Sequence, residues 1–171
     1  MSVGARGDHR PSVVWHEMRQ IVKSRLQNPR VRRALDANYK IDQSYDIAYV
    51  AGISNDLSTL FVDRHFPLTE FPVPKPIDVT PEIWFHECGE HCFIEMYGDH
   101  YLRAHRLITV GEHDMVVLRG INWPKYKDGF DVYDKRTEHE QIQRSPKELY
   151  LKPYTDSGDW QLLQRIHETM V

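Results

Sequence analysis

Histidines and carboxylates are concentrated in a short central part of the chain. Five of the ten histidines lie between positions 86 and 113, interleaved with glutamates and aspartates. Imidazole nitrogens and carboxylate oxygens are the ligands with which proteins hold many divalent transition metals. This window therefore predicts a metal site, and the other elements of the chain are expected to position it.

His86 and Glu90 are four residues apart in the segment His86-Glu87-Cys88-Gly89-Glu90. An offset of four brings two side chains to one face of an α-helix, about 40° apart. The H-E-x-x-H motif presents two metal ligands in this way, and here the second ligand is a carboxylate. Glu87 has the position of the general base in such sites, where it takes a proton from a water that the metal acidifies.

A third ligand is expected from the helix that follows. His105 and Glu112 are seven residues apart, so both project from the same side of that helix. A catalytic zinc takes three protein ligands and keeps one position open. We therefore expect His86, Glu90 and one of His105 or Glu112 as ligands, with the other orienting a ligand. The metal is a divalent cation, Zn²⁺ in the first place, and Mn²⁺ and Fe²⁺ are alternatives.

Three other residues of the window are not expected to bind the metal. His91 is five positions from His86, about 140° away around the helix, which suits a shared ion poorly. Cys88 and Cys92 share a different face and are expected to be small core residues without a disulfide.

Two helices are predicted to carry the site. The first covers residues 80–97, with Thr80 as N-cap, Pro81 in the first turn and Gly98 as the stop. The second covers residues 99–119 and ends at Gly120. Because the connection is tight, the two helices are expected to be neighbours with facing ligands.

The remaining pattern predicts an α+β fold, with a small β-hairpin packed on a helical core. Segments 45–51 and 59–63 are rich in β-branched and aromatic residues and flank a turn-forming cluster at 52–56, which favours the hairpin. Four prolines within residues 67–76 predict a stiff extended connection that cannot join a central strand. Further helices are expected at 12–26, 31–37, from 123 past 141, and 159–170, and an extended segment at 150–154.

Charge divides the chain at about residue 40. Residues 1–40 hold nine Lys/Arg against three Asp/Glu, and the rest holds 13 against 22. We expect a basic helical N-terminal arm (residues 1–40) and a metal-site domain with C-terminal helices (residues 41–171). Nucleic acid is disfavoured as a partner, because no nucleic-acid module accompanies the charge.

No apolar run approaches the roughly 20 residues that span a bilayer, and no signal-peptide core is present, so a cytoplasmic protein is expected.

The order of hairpin, His-Glu-x-x-(His/Glu) helix and second ligand helix resembles small zincin-type metallopeptidases of the gluzincin and ImmA-like kind. The chain departs from them at Glu90, where that family has its second histidine. The resemblance implies a zincin-like fold, peptidase activity, and an edge strand beside the active helix that receives an extended peptide.

A second resemblance covers about residues 45–165. The segments 48–52, 60–64 and 149–154, together with the H-E-x-x-E pattern at His86–Glu90 and the A-H-x6-E pattern from Ala104 to Glu112, are similar to a group of uncharacterised proteins from tailed phages and prophages. This resemblance implies a phage origin and no particular reaction.

Two functions follow from these expectations. The first is a phage-encoded metal-dependent hydrolase, a zincin-like peptidase in the bacterial cytoplasm that acts on a protein or peptide. The alternative is a non-catalytic virion or interaction protein, in which the same residues form a structural metal site or a buried polar network. An open coordination position would favour the hydrolase, and a closed four-ligand shell the structural site.

Overall fold

The computed structural model describes residues 13–139 and 142–171, and it confirms a mixed α+β fold, with helices around two small β-sheets. The described helices are α1 (Val13–Leu26), α2 (Pro29–Leu35), α3 (Thr80–Tyr97), α4 (Tyr101–Leu118), α5 (Trp123–His139), α6 (Lys152–Ser157) and α7 (Trp160–Thr169). The described strands are β1 (Lys40–Asp42), β2 (Ala51–Ile53), β3 (Thr59–Val62), β4 (Phe71–Val73) and β5 (Lys75–Ile77).

Helix α3 begins and ends close to the predicted positions, but its cap differs. Thr80 already belongs to the helix, and the Asp78 carboxylate accepts its N–H at 2.8 Å. The prediction that Thr80 is the N-cap is therefore wrong. The carboxylate of Asp78, which precedes the helix, accepts the free N–H of Thr80. Gly98 ends the helix at φ 67°, in the left-handed conformation that glycine adopts without steric cost.

Helices α3 and α4 pack closely against each other, as predicted. Only three residues connect them, and Gly89 of α3 lies directly under Ile108 of α4. A Cβ on residue 89 would lie 2.3 Å from the Ile108 Cδ1, so a side chain here would push the helices apart. This close approach brings the histidines and glutamates of the two helices within reach of each other.

The predicted hairpin is present, but its first strand starts later than predicted. Strand β2 is antiparallel to β3, β1 is parallel to β3, and the sheet order is β1-β3-β2. The prediction of a strand over residues 45–51 is wrong for 45–50. Tyr49 and Val50 have φ values of 62° and 75°, which an extended strand cannot contain. The Asp63 carboxylate instead accepts the Ile47 N–H at 3.1 Å and fixes this loop.

The proline-rich segment forms a hairpin of its own. Strands β4 and β5 pair with Pro72 opposite Pro76 and join no central strand, in agreement with that part of the prediction. Proline can lie here because a two-stranded ribbon leaves one side of each strand unpaired. Phe71 of β4 packs onto α5, where a Cβ on Gly129 would lie 2.5 Å from its ring.

The C-terminal part differs from the prediction at one place. Residues 150–154 were expected to be extended, but α6 begins at Lys152, with Pro153 in its first turn and Gly158 beyond its end. Proline is compatible with the first turn of a helix, so Pro153 does not require an extended chain here. Helix α5 begins at Trp123 as predicted and is described as far as His139, while residues 140 and 141 lie outside the described ones. Residues 142–144 are not helical, so the predicted continuation past 141 is wrong.

Helix α1 packs along α4. Val22 is 2% exposed, the Arg19 guanidinium forms a two-pronged ion pair with Asp114, and Arg25 pairs with Asp99. Residues 1–12 of the expected N-terminal arm lie outside the described ones, and the division at residue 40 stays a prediction. Within the described chain, no helix is both long and apolar enough to cross a membrane.

Candidate metal centre

Three potential ligand atoms converge between α3 and α4. The His86 Nε2 lies 3.1 Å from the His105 Nδ1, which lies 3.0 Å from the Glu90 Oε2. The third side of this triangle, from His86 Nε2 to Glu90 Oε2, is 3.6 Å. The offset of four along α3 places His86 and Glu90 on one face, and the close packing of α4 supplies His105 opposite them.

The other side of His86 is occupied by Glu112. Its Oε2 lies 2.7 Å from the His86 Nδ1, and its Oε1 accepts the Tyr126 hydroxyl at 2.7 Å. Because a carboxylate offers only acceptors, the Nδ1 of His86 carries the proton. In neutral His86 the Nε2 then directs its lone pair into the triangle. Glu112 thus contacts the far side of His86, and His105 is the residue that joins His86 and Glu90 in the candidate ligand group.

The triangle has the dimensions of a metal site. Ligands at about 2.0–2.1 Å from a tetrahedral zinc lie about 3.3 Å from one another. The three distances here are 3.1, 3.0 and 3.6 Å. With His86 neutral, hydrogen bonds satisfy this arrangement poorly, since a single proton on the His105 Nδ1 must then serve both of its neighbours. A divalent cation at the centre would satisfy all three atoms together.

Burial and charge act in opposite directions on these groups. Burial disfavours the imidazolium form of His86, but the carboxylates of Glu112 and Glu90 outweigh it and raise its pKa well above the ordinary value. Burial likewise opposes ionisation of Glu90, but hydrogen bonds from His105 and His86 outweigh it and lower the pKa of that carboxyl. Glu90 is therefore an anion, and a proton on His86 competes with any cation for the Nε2.

The triangle opens into a cavity of about 340 Å³. The His105 side chain is 45% exposed, whereas those of His86 and Glu90 are 13% and 5% exposed, so the approach to the site is from the His105 side. Glu87 also lines this cavity. Burial, and then the negative charge of Glu90, raise the pKa of Glu87 to about 8. A nearby cation would lower this value again and leave a carboxylate that can accept a proton.

A second group of possible ligands consists of Asp46, Asp63 and His65. Here both carboxylates already accept hydrogen bonds from other parts of the protein. The Asp46 Oδ2 accepts the backbone N–H groups of Gln143 and Arg144 at 2.7 and 3.1 Å, and its Oδ1 pairs with Arg64 at 2.8 Å. These carboxylates connect the loop before β2 to the segment before α6.

The structure places each predicted site residue in or beside the centre. His86, Glu90 and His105 form the triangle, Glu112 contacts His86, and Glu87 lines the cavity. His91 lies apart, with its ring 4.4 Å from that of Tyr150. The cysteines of α3 are both free and buried, which confirms that they are core residues without a disulfide.

Sequence reasoning missed the aromatic wall of the cavity. Five tyrosines line the cavity: Tyr49, Tyr101, Tyr126, Tyr150 and Tyr154. A weak signal exists for α5, where Trp123, Tyr126 and Phe130 recur at helical spacing. Their orientation toward α4 depends on tertiary packing, which the spacing does not reveal.

Comparison with known protein families, with curated proteins and with solved structures finds no match to this chain. The resemblances to zincin-type metallopeptidases and to phage proteins therefore stay predictions. The assignment of a function depends on the geometry of the site.

Proposed function

We propose that this protein is a metal-dependent hydrolase, with one divalent cation bound by His86, Glu90 and His105. The observation that carries the proposal is the convergence of three ligand atoms, 3.0 to 3.6 Å apart, at an accessible cavity. Two imidazoles and one carboxylate are a frequent ligand set of catalytic zinc. Zn²⁺ is the first choice, and Mn²⁺ and Fe²⁺ suit the same ligands.

The geometry favours a catalytic site over a closed structural one. A structural zinc takes four protein ligands, whereas a catalytic zinc takes three and leaves a position for water or substrate. Among the described residues, the group at His86 contains three ligand atoms within reach of one another. Glu112 is not among the converging atoms, because its Oε2 contacts the opposite ring nitrogen of His86 and its Oε1 accepts the Tyr126 hydroxyl.

Glu87 is the proposed general base. It follows the ligand His86 on α3 and lines the cavity without a hydrogen bond to any group that the structure describes. A bound zinc would supply Lewis acidity and lower the pKa of a water in its open position to about 7. Glu87 would take the proton of the attacking water and then give a proton to the leaving group.

The wall beside the site supports a peptide substrate. Strand β2 is at the edge of its sheet, and Ala51, Gly52 and Ile53 all line the cavity. The Ile53 carbonyl on the outward side already accepts the Tyr150 N–H at 2.8 Å, so the unpaired part of this edge is at Ala51. Backbone bonds from Asp63 to Val50 and from Ser54 to Thr59 show that the even-numbered residues pair with β3. The N–H and C=O of Ala51 therefore point away from β3, where an extended peptide could add as a further strand.

The test is the metal content of untagged full-length protein. We expect about one equivalent of zinc, measured by mass spectrometry after dialysis against metal-free buffer. The Glu90→Ala variant should lose the metal, and Glu87→Gln should keep it. Peptide cleavage, screened on mixed peptide libraries, should be lost in both variants.

Two other outcomes have clear meanings. A zinc-loaded protein without hydrolytic activity in the screen would argue for the alternative of an interaction protein with a structural metal. Wild-type protein that takes up neither zinc, manganese nor iron would overturn the proposal. His86, Glu90 and His105 would then form a buried polar network, in which His86 is an imidazolium between two carboxylates.

A further inference from the structure

Tyr101 has a fixed place on the cavity wall. It is the first residue of α4 and lies one turn before His105, with the two ring centroids 5.6 Å apart. Its backbone N–H donates to the Asp156 carboxylate of α6 at 3.0 Å. The ring is therefore positioned both by its own helix and by a neighbouring one, on the side from which the site is approached.

The hydroxyl of Tyr101 differs from those of its neighbours. Tyr126 donates to Glu112 at 2.7 Å, Tyr150 to Glu95 at 2.5 Å, and Tyr154 to the Ala48 carbonyl at 3.2 Å. No group that the structure describes accepts the hydroxyl of Tyr101, although this residue lines the same cavity. A phenol on an active-site wall is an available hydrogen-bond donor for whatever occupies the cavity.

Charge keeps this donor protonated. Burial raises the pKa of Tyr101, and the negative charges of Glu90 and Glu87 raise it further. The ring contact with His105 and the shared cavity lining place Tyr101 beside the ligand triangle and the proposed base. At neutral pH Tyr101 is therefore an uncharged O–H donor next to the place where the reaction would occur.

We propose that Tyr101 is a further catalytic residue, whose hydroxyl donates a hydrogen bond to the substrate oxygen that becomes negative. The inference rests on the proposed hydrolase function. In the reaction the water oxygen bonds to the carbonyl carbon, and the carbonyl electron pair moves to its oxygen. Glu87 takes the water proton. When the C–N bond breaks, the amine leaves with that proton and the carbonyl re-forms. Tyr101 stabilises the oxygen charge between these two steps.

The experiment measures binding of acetohydroxamic acid to zinc-loaded full-length protein by calorimetry. Its two oxygens bind zinc and present a partly negative oxygen to the cavity wall. Tyr101→Phe retains the ring and removes only the donor. We expect about 3- to 10-fold weaker binding, which corresponds to the loss of one hydrogen bond. Tyr150→Phe is the control, because that hydroxyl donates to Glu95, and its affinity for the probe should equal that of the wild type.

The outcomes separate this inference from the proposed function. Equal affinity in wild type and Tyr101→Phe, with one zinc retained in both, would overturn the role of Tyr101 and leave the metal centre intact. Loss of zinc from Tyr101→Phe would also overturn it, since the tyrosine would then act on the ligands. Absence of zinc from the wild type would overturn the hydrolase proposal and this inference with it.

Discussion

Two groups of histidine and carboxylates in the described part of the chain bring possible ligand atoms close enough together for a metal, and they differ in what else binds them. In the group of Asp46, Asp63 and His65, the carboxylate oxygens accept backbone N–H groups and an arginine. In the group of His86, Glu90 and His105, the three converging atoms contact mainly one another.

This difference shows that proximity alone does not define a metal site. A carboxylate that accepts several backbone N–H groups already has its charge compensated, and a cation would have to displace those donors. In the group of His86, Glu90 and His105, by contrast, the converging atoms are compensated only by protons that they share with one another. The hydrogen bonds therefore predict that the group of His86, Glu90 and His105 binds a metal, and that the group of Asp46, Asp63 and His65 stabilises the fold.

The largest expected effect is on metal binding. Glu90→Gln replaces the anionic ligand by a neutral amide in a buried position, and we expect zinc affinity to fall by more than about 100-fold. Removal of partners that merely orient a ligand already costs about 10- to 100-fold. Competition with a fluorescent zinc chelator would measure the change.

Asp63→Asn is the matched control for that experiment. It removes one buried negative charge from the other group, and the zinc content should stay that of the wild type. If Asp63→Asn and Glu90→Gln reduced zinc binding equally, the distinction between the two groups would be wrong.

The next effect is on folding stability. Asp63 is 3% exposed and accepts the N–H groups of Ile47 and His65 at 3.1 and 2.9 Å. Asp63→Ala leaves both without a partner, so we expect the free energy of unfolding to fall by about 3 kcal/mol. Urea denaturation monitored by circular dichroism would measure it. A loss below about 0.5 kcal/mol would show that water replaces the carboxylate.

Parts of the candidate site and of the fold could be predicted from the sequence alone. The candidate ligands on α3 and α4 were predictable, because an offset of four on one helix and a two-turn offset on the next are local properties of the chain. The ends of α3 and α4 and the pairing of β2 with β3 follow from glycine, proline and β-branched residues in the same local way.

The parts that escaped prediction depend on contacts between distant segments. That His105 and not Glu112 lies beside both His86 and Glu90 depends on how α4 packs against α3, with Ile108 close to Gly89. The loop before β2 has the residues of a strand, but positive φ values at Tyr49 and Val50 interrupt it. The Asp63 carboxylate holds that loop in place by accepting the Ile47 N–H. This is a tertiary contact, which strand propensities cannot predict.

A smaller effect is expected at the partner of Glu112. Tyr126→Phe removes the hydroxyl that donates to the Glu112 Oε1 and retains the ring that packs against Phe71 and Phe130. Glu112 would then be free to rotate, and His86 would be less well oriented. We expect roughly 10-fold weaker zinc binding, in the range known for such outer partners.

Tyr133→Phe serves as control for Tyr126→Phe, because Tyr133 packs on the ring of Phe66 and does not line the cavity. Zinc affinity should be unchanged in it. Unchanged affinity in Tyr126→Phe as well would mean that Glu112 orients His86 without help from α5.

The smallest effect concerns a third carboxylate, Asp114, whose ion pair with Arg19 attaches α1 to α4. Partial burial opposes ionisation of Asp114, but Arg19 and His113 outweigh it and lower its pKa in the folded protein. A carboxyl with a lower pKa when folded stabilises the protein above its unfolded value of about 3.9, and this contribution is lost as the pH falls through the folded pKa. Asp114→Asn should therefore reduce the free energy of unfolding by at most about 1 kcal/mol at pH 7. The difference from wild type should shrink as the pH falls below about 4, and zinc content should not change. A loss of unfolding free energy as large as that of Asp63→Ala would contradict this prediction. The partly exposed ion pair of Asp114 with Arg19 would then stabilise the fold as much as the buried carboxylates of Asp46 and Asp63 do.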